Sequence, residues 1–390
     1  MKQGWKTTTI QDACEQMNGI WKGAKAPFTT AKILRTTNFS KDCKMKLDDL
    51  AIIEVEEKKM NARRLRRGDI IVEKSGGGPK QPVGRVILFD IDDEDFSFCN
   101  FTSALRVKNQ SEILPEYLHK YLTFLYFEGE TEKYQSNLVG FRNLDFKGYV
   151  SMSFHYPELS EQQRIVNLLD AEFAKIDTLK ANAERNLQNA KDLFQAALKK
   201  ELEPKEGWQK KKFGDVCKYQ KEQGHYSHLK YVGMENIETG SGKLLGLQNG
   251  ADVLSTTFRF HSGYVMYGRL RPYLKKVFVA DFEGCCSTEI FPIETKELLP
   301  HLLMYWFLSD AITDRINATC AGCRMPRANM NDVLGFDISV PELSEQQQIV
   351  ARLDALNEKC KTLQANYEKT IALCDDLKQA LLRKAFNGEI

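Results

Sequence analysis

The chain writes one heptapeptide twice, Pro157-Glu-Leu-Ser-Glu-Gln-Gln163 and Pro341-Glu-Leu-Ser-Glu-Gln-Gln347, and each copy leads into a long amphipathic run. The match continues at a constant shift of 184 residues, pairing Ile165-Val166 with Ile349-Val350, Leu169-Asp170-Ala171 with Leu353-Asp354-Ala355, and Asp192-Leu193 with Asp376-Leu377. A duplicated helix is the economical reading. Ser160 and Ser344 read as N-caps, with Gln163 and Gln347 three positions later completing a reciprocal capping box. Glu161 and Glu345 fall in the first turn, where the helix dipole favours negative charge.

Along the second copy the apolar positions Ile349, Leu353, Leu356, Cys360, Leu363, Tyr367, Ile371, Cys374, Leu377 and Leu381 advance by steps of three and four, a coiled-coil seam rather than a broad stripe. The first copy places Ile165, Leu169, Phe173, Ile176, Leu179, Ala183, Leu187 and Ala190 likewise. Helix pairing is therefore assigned to Ile165, Leu169, Ile176, Leu187, Ile349, Leu353, Leu363 and Leu377. Each helix is expected to span roughly 38–40 residues, a rod of about 55–60 Å. Two such seams in one chain invite antiparallel pairing with each other. The first rod should stop near Glu203, with Lys199-Lys200 at its end and Pro204 just beyond.

With 390 residues, 42% apolar and 28% charged, the chain is long enough for about two to three domains. A net charge of +2 excludes a protein that wraps nucleic acid with its whole surface, so any such contact must come from local patches. No apolar run reaches the length of a membrane span and the first residues lack a secretory apolar segment, so a cytoplasmic protein is expected. Scattered cysteines, several on the seams, read as small apolar fillers in a reducing compartment. Cys320-Ala-Gly-Cys323, with His225, His228, Cys285 and Cys286 in the same half, is the sharper zinc alternative, but the second Cys-x-x-Cys is missing, and no metal is assigned.

Ahead of each rod lies a body, and the two bodies repeat the same order of events. Gly4-Trp5 is echoed by Gly207-Trp208, and Ile10-Gln-Asp-Ala-Cys14 by Phe213-Gly-Asp-Val-Cys217. In the first body a buried strand at Ile70–Val72 feeds the glycine-rich loop Lys74–Lys80 and a strand at Gly84–Phe89. A packed helix follows Pro115, then a loop at Gly140–Asp145 and a strand from Gly148 to Phe154. The second body offers a strand ending at Tyr267, the loop Gly268-Arg-Leu-Arg-Pro-Tyr-Leu-Lys-Lys276, a strand at Val277–Ala280, a packed helix after Pro300, the loop Gly322-Cys-Arg-Met-Pro-Arg327 and a strand to Val340. Gly76–Gly78 is no phosphate cradle, because Pro79 and a strand follow it. Asp92–Asp95 is most simply a solvated turn. The boundaries expected are 1–156 and 204–340 for the bodies, 157–203 and 341–390 for the rods. The fold class is α+β, two bodies of mixed strands and helices joined by two long helices in an antiparallel coiled coil, an internal repeat with pseudo-two-fold symmetry.

The loops suggest nucleic acid. Arg269, Arg271, Tyr273, Lys275 and Lys276 combine forked donors, point charges and an aromatic face, and Arg324 and Arg327 add a second basic loop. Lys74, Lys80, Arg85 and Arg142 supply the corresponding positions in the first body.

On these residues the chain resembles the specificity subunit of a type I restriction-modification system. The resemblance rests on the doubled heptapeptide, the Gly68-Asp-Ile-Ile71 and Gly268-Arg-Leu-Arg-Pro-Tyr-Leu274 segments, the Gly140-Phe-Arg142 and Gly322-Cys-Arg324 loops and the closing Leu382-Arg-Lys-Ala-Phe-Asn-Gly-Glu-Ile390. It implies two target-recognition domains that each read half of a split, asymmetric double-stranded DNA site. The rods would fix the spacing and dock two modification subunits. S-adenosylmethionine would come with those subunits, and ATP and magnesium with restriction subunits, so no cofactor and no catalysis are expected of this chain. The sequence has no Asn-Pro-Pro-Tyr/Phe motif and no Gly-Lys-Ser/Thr loop. A coiled-coil scaffold with two protein-binding modules, or an enzyme nicking or methylating alone, remain as alternatives.

Overall fold

Both long helices begin before the serines read as caps, at Leu159 and Leu343, and a buried glutamine is the reason. The computed structural model describes residues 4–78, 81–138, 141–320 and 324–390. Two compact units result, Met1–Asn182 with Thr370–Ile390, and Ala183–Lys369. Each unit holds one strand-rich body with a stretch of both long helices.

In the first unit the carbonyl of Glu158 accepts the N–H groups of Glu161 and Gln162, each at 3.0 Å, so the helix is already under way at Ser160. Gln163 bonds Asn167 at 2.9 Å rather than reaching back to a cap. The capping box is thus corrected: the polar anchor is Gln162, one residue earlier, and it is fully buried. Its Nε2 donates to Pro157 O at 2.9 Å and Glu112 O at 2.8 Å, and its Oε1 accepts from Leu114 N at 2.9 Å. The second unit repeats this with Gln346, which donates to Pro341 O at 3.0 Å and Glu297 O at 2.9 Å and accepts from Leu299 N at 2.8 Å. Leu114 and Leu299 are the N-caps of the packed helices Pro115–Phe127 and Pro300–Leu308. One side chain therefore ties strand end, long helix and packed helix together in each unit, satisfying groups that burial would otherwise leave unpaired.

The sheets repeat as well. A four-stranded antiparallel sheet has the order Cys14–Asn18, Thr102–Val107, Ile70–Glu73, Val86–Leu88 in the first unit, and Cys217–Tyr219, Ile290–Thr295, Val265–Gly268, Val277–Val279 in the second. A two-stranded ribbon closes each body just before its long helix, Lys6–Thr9 with Ser153–Tyr156 and Gln209–Lys212 with Asp337–Val340. A second sheet in each unit contains one parallel pair, Phe28–Leu34 beside Phe96–Phe98 and Lys230–Val232 beside Gly284–Cys286. Two local readings are corrected. Residues Phe146–Val150 form a helical turn capped by Asp145, so the strand begins only at Ser153. The stretch read as a loop after Gly140 contains the strand Phe141–Leu144, recruited by antiparallel pairing with Ser75–Gly77.

The long helices run to Leu202 and Phe386, 44 residues each, and pack antiparallel within each unit. In the first unit Lys180 meets Asp375 at 2.7 Å and Lys378 meets Asp177. In the second Arg352 meets Glu201 at 2.6 Å. Of the residues assigned to helix pairing, Ile165, Leu169, Ile176, Ile349 and Leu353 are buried and Leu187 is half-buried. Leu363 and Leu377 are corrected, being 40% and 48% exposed. The buried set is instead Ile349, Leu353, Asn357, Cys360 and then Cys374, Lys378, Leu382 and Ala385. A straight helix turns 3.6 residues per turn, so a strict 3.5 repeat drifts by about 20° per heptad and rotates out of the interface. Lys378 is tolerated there because Asp177 and Asp42 face its ammonium and the Phe173 ring lies 5.7 Å away. Phe386 closes the first body by packing among Tyr117, Tyr121 and Phe124, with ring centroids 5.2–5.4 Å apart. No described helix is long and apolar enough to cross a membrane.

Replacing Gln162 or Gln346 by Ala should cost about 1–3 kcal/mol, the penalty of leaving buried backbone groups unpaired. Ser160→Ala should change stability by no more than about 0.5 kcal/mol, and urea unfolding of the three variants checks the ranking. A pH effect follows from His119, whose ring meets Cys43 O at 3.2 Å. Burial, with Lys120 adjoining, pushes its pKa down to about 4, whereas an unfolded histidine titrates near ~6.5. Between those values the unfolded chain binds a proton that the folded chain does not, so stability falls as pH drops through that window. Thermal unfolding should show this fall, and His119→Gln should flatten it.

Candidate nucleic-acid interface

The two basic loops of the second unit, over fifty residues apart in sequence, are joined by their backbones. Leu270 bridges Arg327 in antiparallel fashion, Arg271 N donates to Pro326 O at 2.8 Å, and Ala328 N donates to Arg269 O at 2.9 Å. Arg271 and Lys275 both adopt left-handed backbone, φ 52° and 48°, on either side of the turn Pro272–Leu274. Such conformations cost of order 1–3 kcal/mol outside glycine and persist only where the surroundings impose them. Here the surroundings are visible. Lys275 pairs with Asp310, Lys276 donates to Met234 O at 2.6 Å, and Gly240 N bonds Lys275 O at 3.3 Å.

The strained turn therefore presents Arg271 and Tyr273 outward on stapled feet. Tyr273 is 53% exposed, and Arg271 and Arg324 are exposed with no side-chain partner among the described residues. Arg269 and Arg327 share the carboxylate of Glu289, each through Nε, at 3.1 Å and 2.9 Å. Their terminal amines have no hydrogen bond to any described residue. Arg269 also lies over the Phe291 ring, 5.4 Å from its centroid. Sequence reasoning missed Glu289, a lone acid that only the paired loops place between two arginines. Lys275 and Lys276 were singled out for ligand contact, but the structure spends both ammonium groups inside the chain, fastening the loop.

The first unit builds the same crossing. Lys74 N donates to Phe101 O at 2.9 Å as Arg269 N does to Glu289 O at 2.9 Å, and Leu144 N donates to Lys74 O at 2.8 Å as Ala328 N does to Arg269 O. Asn143 pairs with Ser75 as Arg327 pairs with Leu270. Lys74 is half-buried between Asn18, at 3.1 Å, and the Phe146 ring, and burial holds its pKa below the ordinary lysine value. Arg142 lies on the strand paired with Gly77, 3.5 Å from Glu132. Lys80 lies outside the described residues. Arg85 is withdrawn from the surface, only 6% exposed, its guanidinium held by Glu73 at 2.7 and 2.8 Å and by Phe39 O at 2.7 Å. It occupies the place of Lys276, and both reach the start of an equivalent turn, Thr36 O and Met234 O. Arg85 and Lys276 are framework, not contact residues.

Among the described residues no three His, Cys, Asp or Glu side chains converge, and Cys323 of the Cys-x-x-Cys lies outside them. The described cysteines are free, and burial pushes the Cys14, Cys43 and Cys217 thiols up to about 12, as expected of apolar fillers.

Comparison with known proteins agrees with this duplicated geometry. The family model described as the type I restriction modification DNA specificity domain matches residues 2–188 and again 205–372. The EcoDI specificity subunit of a type I restriction enzyme from Escherichia coli is 27% identical over 339 residues, 76% of each chain. The StySPI specificity subunit from Salmonella potsdam is 22% identical, over all of this chain and 90% of the relative. Among solved structures, a chain from a study of complex assembly and conformational transition in a type I restriction-modification system superposes with a TM-score of 0.79 at 17% identity, covering 100% of this chain and 99% of that one. The HsdS subunit of Thermoanaerobacter tengcongensis gives 0.56 at 18% identity, covering 100% and 98%. With one family domain matched to each half, the chain belongs to the type I restriction-modification DNA specificity family.

Proposed function

We propose that this chain is the DNA-recognition subunit of a type I restriction-modification complex, and that each unit reads one half of a split, asymmetric duplex target. The observation that carries the reading is the paired-loop platform, which offers forked donors and an exposed aromatic ring from a rigid, strained turn. Arginine forks match the acceptor edge of guanine in the major groove, and contacts of that kind specify sequence where phosphate contacts only position. The DNA-contacting set in the second unit is Arg269, Arg271, Tyr273, Arg324 and Arg327. In the first unit it is Lys74, Lys80 and Arg142.

To the long helices we assign the spacer between half-sites and the docking of two modification subunits. Exposed leucines support the second role: Leu179, Leu373 and Leu377 in the first unit, Leu193 and Leu363 in the second, each 40–53% exposed on the long helices. Three of these, Leu179, Leu363 and Leu377, are seam positions that helix pairing leaves exposed. In this reading the partners bring S-adenosylmethionine and methylate adenine, restriction subunits add ATP- and magnesium-dependent cleavage, and the complex works in the cytoplasm. The chain itself recognises and does not catalyse. No observation favours the alternative of a protein-binding scaffold.

Arg271→Ala, assayed in the complex with its modification subunit, should relax base preference in one half-site only, and removing one bidentate arginine–base pair should cost on the order of 1–3 kcal/mol. Equal weakening at both half-sites would count against separate readers. Arg85→Met should behave oppositely. It leaves Glu73 buried without its counter-charge and should lower stability by about 3–5 kcal/mol, measured by chemical denaturation, with base preference unchanged in the folded fraction.

A further inference from the structure

The two loop crossings share a backbone and differ in side chains, three of the equivalent places carrying the polar or aromatic groups of one or the other. Where the second unit has Arg269, Glu289 and Arg327, the first has Lys74, Phe101 and Asn143, with the same hydrogen bonds through the main chain. A common frame with exchanged side chains is what two readers of different half-sites need.

We propose that these positions determine base preference, with Glu289 as the positioning residue of the second unit. The proposal rests on the DNA-recognition reading given above. Glu289 binds each arginine by its Nε edge and leaves the terminal pair of amines uncommitted among the described residues. A guanidinium held that way keeps two parallel donors for a bidentate partner, the geometry that suits guanine O6 and N7. Without the carboxylate, two adjacent guanidinium groups repel each other and lose their shared orientation. Backbone bonds also fix the acid: Glu289 O accepts from Arg269 N at 2.9 Å, and Glu289 N donates to Ser287 Oγ at 3.2 Å. In the first unit Phe101, 51% exposed, offers an apolar face in the same place. Asn143, hydrogen-bonded to Ser75, offers an amide. Those are the groups that meet a thymine methyl and an adenine edge.

The test is selection from a randomised duplex library by the full chain assembled with its modification subunit, read by sequencing. Glu289→Gln removes the charge but keeps the volume. It should weaken guanine preference at one or two positions of a single half-site, on the order of tenfold, while preference in the other half-site stays as in the wild type. Arg327→Lys keeps the charge without the fork and should reproduce the loss. Glu289→Asp, which retains the carboxylate, should restore part of the preference. Phe101→Ala should alter the other half-site alone. Selectivity that survives Glu289→Gln unaltered, or that relaxes equally in both halves, overturns the proposal. A wild-type complex that selects no motif at all instead removes the recognition reading beneath it.

Discussion

Everything in this structure is referred to one buried amide in each unit. Gln162 and Gln346 sit where strand, long helix and packed helix converge, and each makes three hydrogen bonds to backbone atoms. An amide placed there without all of its partners would be a liability, since partly satisfied buried polar groups cost more than apolar ones. Fully satisfied, it fastens each body to its long helix through three backbone hydrogen bonds. This is why the heptapeptide is written twice without change while the bodies around it diverge.

From that anchor the rest of each unit follows a common plan. The four-stranded sheet carries the basic loops at its strand ends, and a cation, the buried Arg85 or the half-buried Lys276, holds the neighbouring turn. Cations therefore divide into two kinds. Arg85 and Lys276, whose cationic ends are spent on partners inside the chain, build the frame. Arg269 and Arg327, whose terminal amines have no hydrogen bond to any described residue, keep donors for a ligand. Composition alone cannot make that division, because charge and exposure are set by residues scores of positions away.

Sequence patterns carried the repeat, the packed helices after Pro115 and Pro300, the helix end before Pro204, and the two loops that the fold later pairs. They misplaced the helix starts, because Glu-Gln-Gln is three polar residues in a row and only a backbone group about fifty positions earlier selects the middle one. The seam was misread at Leu363 and Leu377, since steps of three and four fit both a 3.5 and a 3.6 repeat over short stretches, and diverge over long ones. Arg85 and Lys276 looked like their neighbours until Glu73, Phe39 and Met234 were brought against them. Glu289 and Phe101 gave no signal at all. Their meaning comes from sharing a place in two bodies whose sequences no longer align there.

The glutamine anchor grips its body through main-chain atoms: the carbonyl of Glu112 or Glu297 and the amide of Leu114 or Leu299. Such a joint is blind to the side chains of what it holds. A foreign body with the same turn before its packed helix would satisfy the same three hydrogen bonds whatever its side chains there, and would need to match only the apolar seat on the helix, such as that of Phe386 among Tyr117, Tyr121 and Phe124.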